Sequence, residues 1–182
     1  ETLQARISAI NGVDRSNFTR HDNLRLAAGK APVALIARPI AANGSDLPLV
    51  GPVLQGEQPV IWISEAMLDI YGWRVGQKVS LPLAGKLVEL TVAGVWRDYS
   101  RQTGAIMINL DDYRRLTGDR LINDAAIDLA PGANADQVAA ALTAMAGPGV
   151  LEIARPGEIR ALSLRIFDRT FAVTYLLEAV AI

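Results

Sequence analysis

Cysteine is absent from the 182-residue sequence. That removes disulfides, thiol nucleophiles and cysteine-based metal sites together. It leaves the compartment open, because an extracytoplasmic protein can do without thiols. Aromatic residues make up only 5% of the chain, the net charge is −1 and the pI is near 5.9. Neither a base-stacking surface nor a basic footprint for nucleic acid is present. No uncharged apolar stretch reaches the ~18 residues that mark a membrane-spanning helix. What the chain has in plenty is apolar residues, 51% of the total with a mean hydropathy of +0.22. Its length suits one large domain or two small ones and is enough to bury a substantial core.

The ends of the sequence carry the strongest signal. It starts at Glu1 without an initiator Met and stops inside the apolar run Thr170 to Ile182, where only Glu178 is charged. As a helix this run would span roughly 20 Å, short of the roughly 30 Å of hydrocarbon in a bilayer. Exposed apolar segments mark interfaces or membrane contacts. The expectation is a piece of a longer chain, ending where a transmembrane helix begins; the alternative is a C-terminal helix docked on its own core.

Leu3, Ile7 and Ile10 fall on one helix face, and Asn11-Gly12 supplies a stop. Residues 14–28 read as extended, Val33–Ala37 as a buried strand, and 41–59, rich in Gly, Pro, Asn, Ser and Asp, as a long loop. A middle module follows. Val60–Ile63 is a strand, and Ser64 caps a helix that runs through Tyr71 and ends at Gly72. Lys78–Leu83 and Lys86–Trp96 flank the turn Ala84-Gly85 as a hairpin. Ala105–Leu110 is a strand, and Asp111 caps a short helix that Gly118 ends. Next come a strand at Asp124–Leu129, the turn Pro131-Gly132, and a helix opened by Asn134 with Gln137 in a capping-box pattern. That helix breaks at Gly147-Pro148-Gly149, and Val150–Ala154 returns as a strand.

The strands before residue 41 and after 120 need partners, so the economical architecture is a discontinuous α+β subdomain with the middle module, a small β-rich subdomain, inserted into it. The expected divisions are residues 1–55, the insert 56–120, 121–157, and a terminal helix over 158–182. In that helix Ile159, Leu162, Ile166, Arg169, Val173, Leu176 and Val180 alternate spacings of three and four, a seam interrupted only by Arg169. Leu3, Ile7 and Ile10 repeat it in short form. Pairing of the two helices would bring the ends of the chain side by side, as in a domain placed between two membrane helices. Arg165 and Arg169 suit a membrane–water boundary.

Sites for chemistry are few. His21 is the sole histidine and neighbours Asp22, but adjacent strand residues point to opposite faces, so a solvated surface histidine is expected. Asp111-Asp112 and Asp124 with Asp128 have no calcium-loop spacing, and no metal is expected. Gly147-Pro148-Gly149 lacks the Lys and the following helix of a phosphate-binding loop; no cofactor is expected. Arg15, Arg20, Arg25, Lys30 and Arg38 read as a solvated basic face. No catalytic residue is assigned. A free-standing enzyme and the ligand-binding domain of a membrane-anchored sensor stand as rival readings.

Three stretches carry a family resemblance. They are Ile63-Ser-Glu-Ala-Met-Leu68 followed by Gly72-Trp-Arg-Val-Gly-Gln-Lys-Val79, then Val92-Ala-Gly-Val-Trp-Arg-Asp-Tyr99, and the junction-like segment Leu162 to Glu178. Together they resemble the extracytoplasmic domain of FtsX-like, MacB-like ABC-transporter permeases, with Gln77 where Asp is common in that family. The resemblance implies a split porter-like α+β subdomain with the β-rich insert. It implies a membrane-proximal stalk built from the terminal helices, drawing on Leu3, Ile7, Ile10, Ile159, Leu162, Arg165, Ile166, Arg169, Phe171 and Tyr175. It further implies an inner-membrane protein with this part on the periplasmic side and a separate cytoplasmic ATP-binding subunit that drives it. The resemblance leaves two roles open: transport of a lipid, lipoprotein, peptide or drug, or activation of an envelope partner without transport. The permease would dimerise through its membrane part, while the isolated domain is expected to be a monomer.

Overall fold

The structure, a computed structural model, describes residues 2–54, 59–147, 149–155 and 157. Among the described residues, four helices and eight strands follow one another as α1 (Leu3–Ser8), β1 (Val13–Leu24), β2 (Val33–Arg38), β3 (Leu49–Val50), β4 (Val60–Ser64), α2 (Glu65–Tyr71), β5 (Lys78–Leu83), β6 (Lys86–Trp96), β7 (Ala105–Asn109), α3 (Leu110–Thr117), β8 (Asp124–Leu129) and α4 (Ala135–Ala146). The α+β expectation therefore holds. No helix among the described residues is long and apolar enough to cross a membrane.

The strands form one mixed sheet in the order β3-β6-β4-β7-β2-β1-β8, with β5 also paired to β6. β2 with β7 and β4 with β6 are parallel; the other pairs are antiparallel. β2, from the first fifty residues, thus lies directly against β7 of the middle module. β1 is shared lengthwise. Val13 to Thr19 pair with β8, and Arg20 to Leu24 pair with β2.

The centre of the sheet is covered on both faces, and its central strands are correspondingly continuous apolar runs rather than alternating ones. Every residue of β4 is buried. Ile61 and Ile63 pack on one side with Ile106, Ile108, Met67 of α2 and Tyr113 of α3. Val60 and Trp62 pack on the other with Ile36, Met107 and Trp96, under Ile40, Leu47 and Leu49. That second cover comes from the Gly- and Pro-rich segment after β2, which the sequence marks only as a loop. Its turn at Gly44 lies on the Trp62 ring so closely that an added Cβ would sit 2.5 Å from the ring.

Two helix starts differ in detail from the sequence reading. Ser64 holds the N-cap backbone position of α2 but makes no capping bond with its side chain; its buried hydroxyl instead accepts from the Ala105 amide at 2.9 Å. α3 is capped by Asn109, whose side chain accepts from the Asp111 amide, so Asp111 is inside the first turn. Asp111 still favours the helix there by its charge. The β5–β6 hairpin turns at Ala84 and Gly85 as expected, with φ of 47° and 76°, the pair of left-handed residues that a tight primed turn requires.

The described residues divide into two compact units, one of those up to residue 8 with those over 13–129, the other of residues 9–12 with those from 130 on. The first holds the sheet with α1, α2 and α3. The second contains α4, whose Asn134 cap accepts from the Asp136 and Gln137 amides; the turn before it is tied to Gly12, whose carbonyl accepts from the Ala130 amide at 2.9 Å. The strand expected at residues 150–154 is not formed; Val150, Leu151 and Ile153 are exposed in an irregular segment. A strand needs a partner edge for its amides and carbonyls, and no described strand pairs with it. The terminal helix expected over 158–182 lies outside the described residues.

Candidate functional site

Of the expected stalk residues, the structure places three. Leu3 is exposed on α1, Ile7 is the buried residue of that helix, and half-buried Ile10 lies beyond its end. α1 is only six residues long, so it presents one buried turn rather than a continuing seam. Ile159, Leu162, Arg165, Ile166, Arg169, Phe171 and Tyr175 lie outside the described residues, as does the pairing of the terminal helices.

A polar knot forms where β1 changes partner. Arg20 donates through Nε to Asp119 Oδ2 at 2.8 Å, and through Nη1 to the His21 carbonyl at 2.8 Å and to Asn123 Oδ1 at 2.9 Å. Asn123 Oδ1 also accepts from the His21 amide, and the Tyr113 hydroxyl donates to Asp119 Oδ2 at 3.0 Å. Asp119 Oδ1 takes the Leu121 amide at 2.8 Å. The Arg20 hydrogen bond outweighs partial burial and holds the Asp119 carboxyl below its ordinary pKa, while the same contact raises Arg20. Burial first, and then the bond to Asp119, raises the Tyr113 hydroxyl. Charge-assisted bonds of this kind are shorter and stronger than neutral ones. Both charged groups are committed to each other, so the knot fixes geometry: it ties the midpoint of β1 to the end of α3 and the start of β8. Sequence reading placed Arg20 on a solvated face. Its partner stands 99 positions away, and no spacing rule reaches that far.

His21 meets an acid, but not the neighbouring one. Its Nε2 is 2.9 Å from Asp124 Oδ2, whereas Asp22 accepts from the Asn23 amide. The two carboxylate pairs considered for metal are separately engaged: Asp112 with Arg115, Asp111 with Arg114 at 3.8 Å, Asp124 with His21 and Asp128 with Arg15 at 3.9 Å. No group of three or more His, Asp or Glu side chains suited to a metal occurs among the described residues. The rest of the basic row is partly engaged too: Arg38 pairs with Asp46 at 3.2 Å, and the Lys30 ammonium stands 4.4 Å over the Tyr71 ring.

A cavity of about 430 Å³ opens between α1 and the connection from α3 to β8. Its walls are mainly apolar, from Leu3, Leu121 and Ile122, with Arg114 and Arg120 as the charged members. Gln4 links the two sides, donating through Nε2 to the Arg120 carbonyl at 3.0 Å and accepting from Arg114 Nη2. The sequence reading named none of these residues except Leu3. Arg120-Leu121-Ile122 fell between the helix ended by Gly118 and the strand at Asp124–Leu129.

Of the stretches that carried the resemblance, Leu162–Glu178 lies outside the described residues; Ile63, Met67, Val92 and Val95 belong to the buried core, and the residues that follow α2 and β6 form turns. Gln77 accepts from the Arg74 amide at 3.0 Å, closing the turn into β5. Asp98 is desolvated, but bonds from Ser100 and Arg101 outweigh this and keep its carboxyl below the ordinary pKa. Beside it Tyr99 stands 87% exposed.

These features define a scaffold domain with an exposed tip, an ion-paired knot and an amphipathic cavity, on a fold shared with transporter ectodomains. The structure resembles the periplasmic region of MacB from Actinobacillus actinomycetemcomitans, with a TM-score of 0.58 at 13% identity, covering 87% of this chain and 79% of that one. It also resembles the extracellular domain of the noncanonic ABC-type transporter YknZ from Gram-positive bacteria, with a TM-score of 0.54 at 13% identity, covering 82% and 86%. A comparison with curated protein sequences gives no match. Residues 4–145 match the model of the MacB-like periplasmic core domain. The chain belongs to that family: it is the extracytoplasmic domain of a MacB-like ABC-transporter permease, and its class is a transporter domain rather than a classical enzyme.

Proposed function

We propose that this domain converts ATP-driven movement of membrane helices into the handling of a substrate or partner outside the membrane. The family match over residues 4–145 carries the reading. In it, the parent protein sits in the inner membrane with this part in the periplasm, and a cytoplasmic ATP-binding subunit supplies the energy. Residues 1–55 and 121–157 act as the porter-like part, 56–120 as the β-rich insert, and 158–182 as the stalk that leads into the membrane. β1 supports such a role mechanically, because one continuous strand pairs with β8 by its first half and with β2 by its second. A displacement of β8 is thereby passed along a covalent strand, rather than across a soft packing contact, to the buried centre of the sheet.

The absence of cysteine makes a direct test convenient. A Leu87→Cys substitution at the exposed tip of the β5–β6 hairpin places one spin label per domain in the full-length permease dimer, assembled with its ATP-binding subunit in nanodiscs. The expected result is a label-to-label distance distribution that differs between the nucleotide-free and vanadate-trapped states. An unchanged distribution in a complex that still hydrolyses ATP would overturn the coupling role.

A further inference from the structure

The cavity between α1 and the α3–β8 connection has the chemistry of a binding site that the transporter role does not by itself assign. Its volume of about 430 Å³ falls within the usual range for small-molecule pockets, roughly 300–1,000 Å³. Such pockets pair apolar walls with a few convergent polar groups. Here the walls include Leu121, 68% exposed, and Leu3, 44% exposed. Apolar side chains left open together at a cavity mouth mark a contact surface.

The charged members are both arginines. Arg114 is held in place by Gln4, yet its Nε is buried and has no hydrogen-bond partner among the described residues. Its acidic neighbour Asp111 stands 3.8 Å away and is 87% exposed, so it neutralises Arg114 weakly. Arg120 makes no side-chain hydrogen bond or ion pair among the described residues, and its backbone carbonyl is already taken by Gln4. Asp119 is spent on Arg20 and Tyr113. Two guanidinium groups with little local compensation, beside an open apolar wall, complement a molecule that is itself apolar at one end and anionic at the other. Guanidinium groups favour phosphate because their forked donors match its oxygens.

We propose that this cavity binds an anionic amphiphile, with a single acyl chain lying against Leu3, Leu121 and Ile122 and its phosphate head held by Arg114 and Arg120. Binding is expected whether or not the domain moves with nucleotide.

The test is titration of the isotope-labelled 182-residue chain with dodecyl phosphate below its micellar concentration, followed by amide chemical shifts. Dodecyl maltoside supplies the same chain with a neutral head, and inorganic phosphate supplies the head alone. Shifts should concentrate at residues 2–4 and 120–122, and dodecyl phosphate should bind about tenfold or more tighter than dodecyl maltoside. Arg120→Gln, at an exposed position without a partner to lose, should weaken dodecyl phosphate by about tenfold and leave dodecyl maltoside unchanged. Leu121→Ser should weaken both amphiphiles. Equal binding of the two, shifts centred elsewhere, or an Arg120→Gln variant that binds dodecyl phosphate as tightly as the parent would overturn the proposal.

Discussion

Replacing Gly94 by Ala adds one methyl group where Trp62 leaves no room. The two residues are direct neighbours across the β4–β6 pair, and Trp62 is 2% exposed beneath the loop that follows β2. A Cβ at position 94 would lie 2.8 Å from Trp62 Cζ3 and 2.9 Å from Cε3, whereas carbon atoms settle at about 3.5–4.0 Å. The indole has little room to retreat, because the same six-membered ring also lies against Gly44, where an added Cβ would be 2.5 Å from Cη2. Gly94 itself has no left-handed backbone conformation, so the substitution probes crowding without backbone strain. Overpacking of this kind costs about 1–3 kcal/mol. With a urea slope of about 2 kcal/mol per M, the unfolding midpoint should fall by roughly 0.5–1.5 M. Trp62→Phe removes the outer ring and should destabilise on its own by leaving a void. In the double variant the smaller ring accommodates the methyl, so the two losses should sum to more than the double variant shows, by about 1–2 kcal/mol of coupling. Additive losses, or a Gly94→Ala midpoint within error of the parent, would refute the account of a Trp62 ring packed tightly against two glycines.

Two further outcomes follow from the buried polar contacts. Asp119 has its pKa depressed in the folded state, chiefly by the Arg20 bond. Its contribution is therefore fully present above the unfolded-state value of about 3.9 and lost as pH falls through the lower folded value. Asp119→Asn should lower stability at neutral pH by about 1–3 kcal/mol and flatten the acid limb of a stability-against-pH curve. An acid limb as steep as the parent's would count against the knot. Ser64→Ala leaves the buried Ala105 amide without its acceptor, at a cost of about 1–3 kcal/mol. Hydrogen exchange at Ala105 should quicken while that at Ile108, on the same strand, tracks only the global loss.

The sequence by itself determined the local elements and, through the order of its motifs, the family. Apolar runs such as Val60–Ile63 and Ala105–Leu110 announced strands, and Gly72, Gly85 and Gly118 marked where the chain turns or a helix ends, because those signals act within a few residues. The side-chain partners were decided by the tertiary structure. Ser64 gave up its expected capping bond once the β4–β7 pair brought the Ala105 amide to its hydroxyl, and Asn109 took the cap expected of Asp111. The loop over 39–54 became the cover of a sheet face because Trp62 offered it a flat apolar floor. Arg20, read as a solvated cation, became the centre of a knot with Asp119, and Arg114 and Arg120 gathered with Leu3 around one cavity. These are contacts between residues about a hundred positions apart, or between side chains whose directions depend on the register of the sheet. Periodicity fixes which face a residue occupies; only the packed chain fixes what stands opposite it.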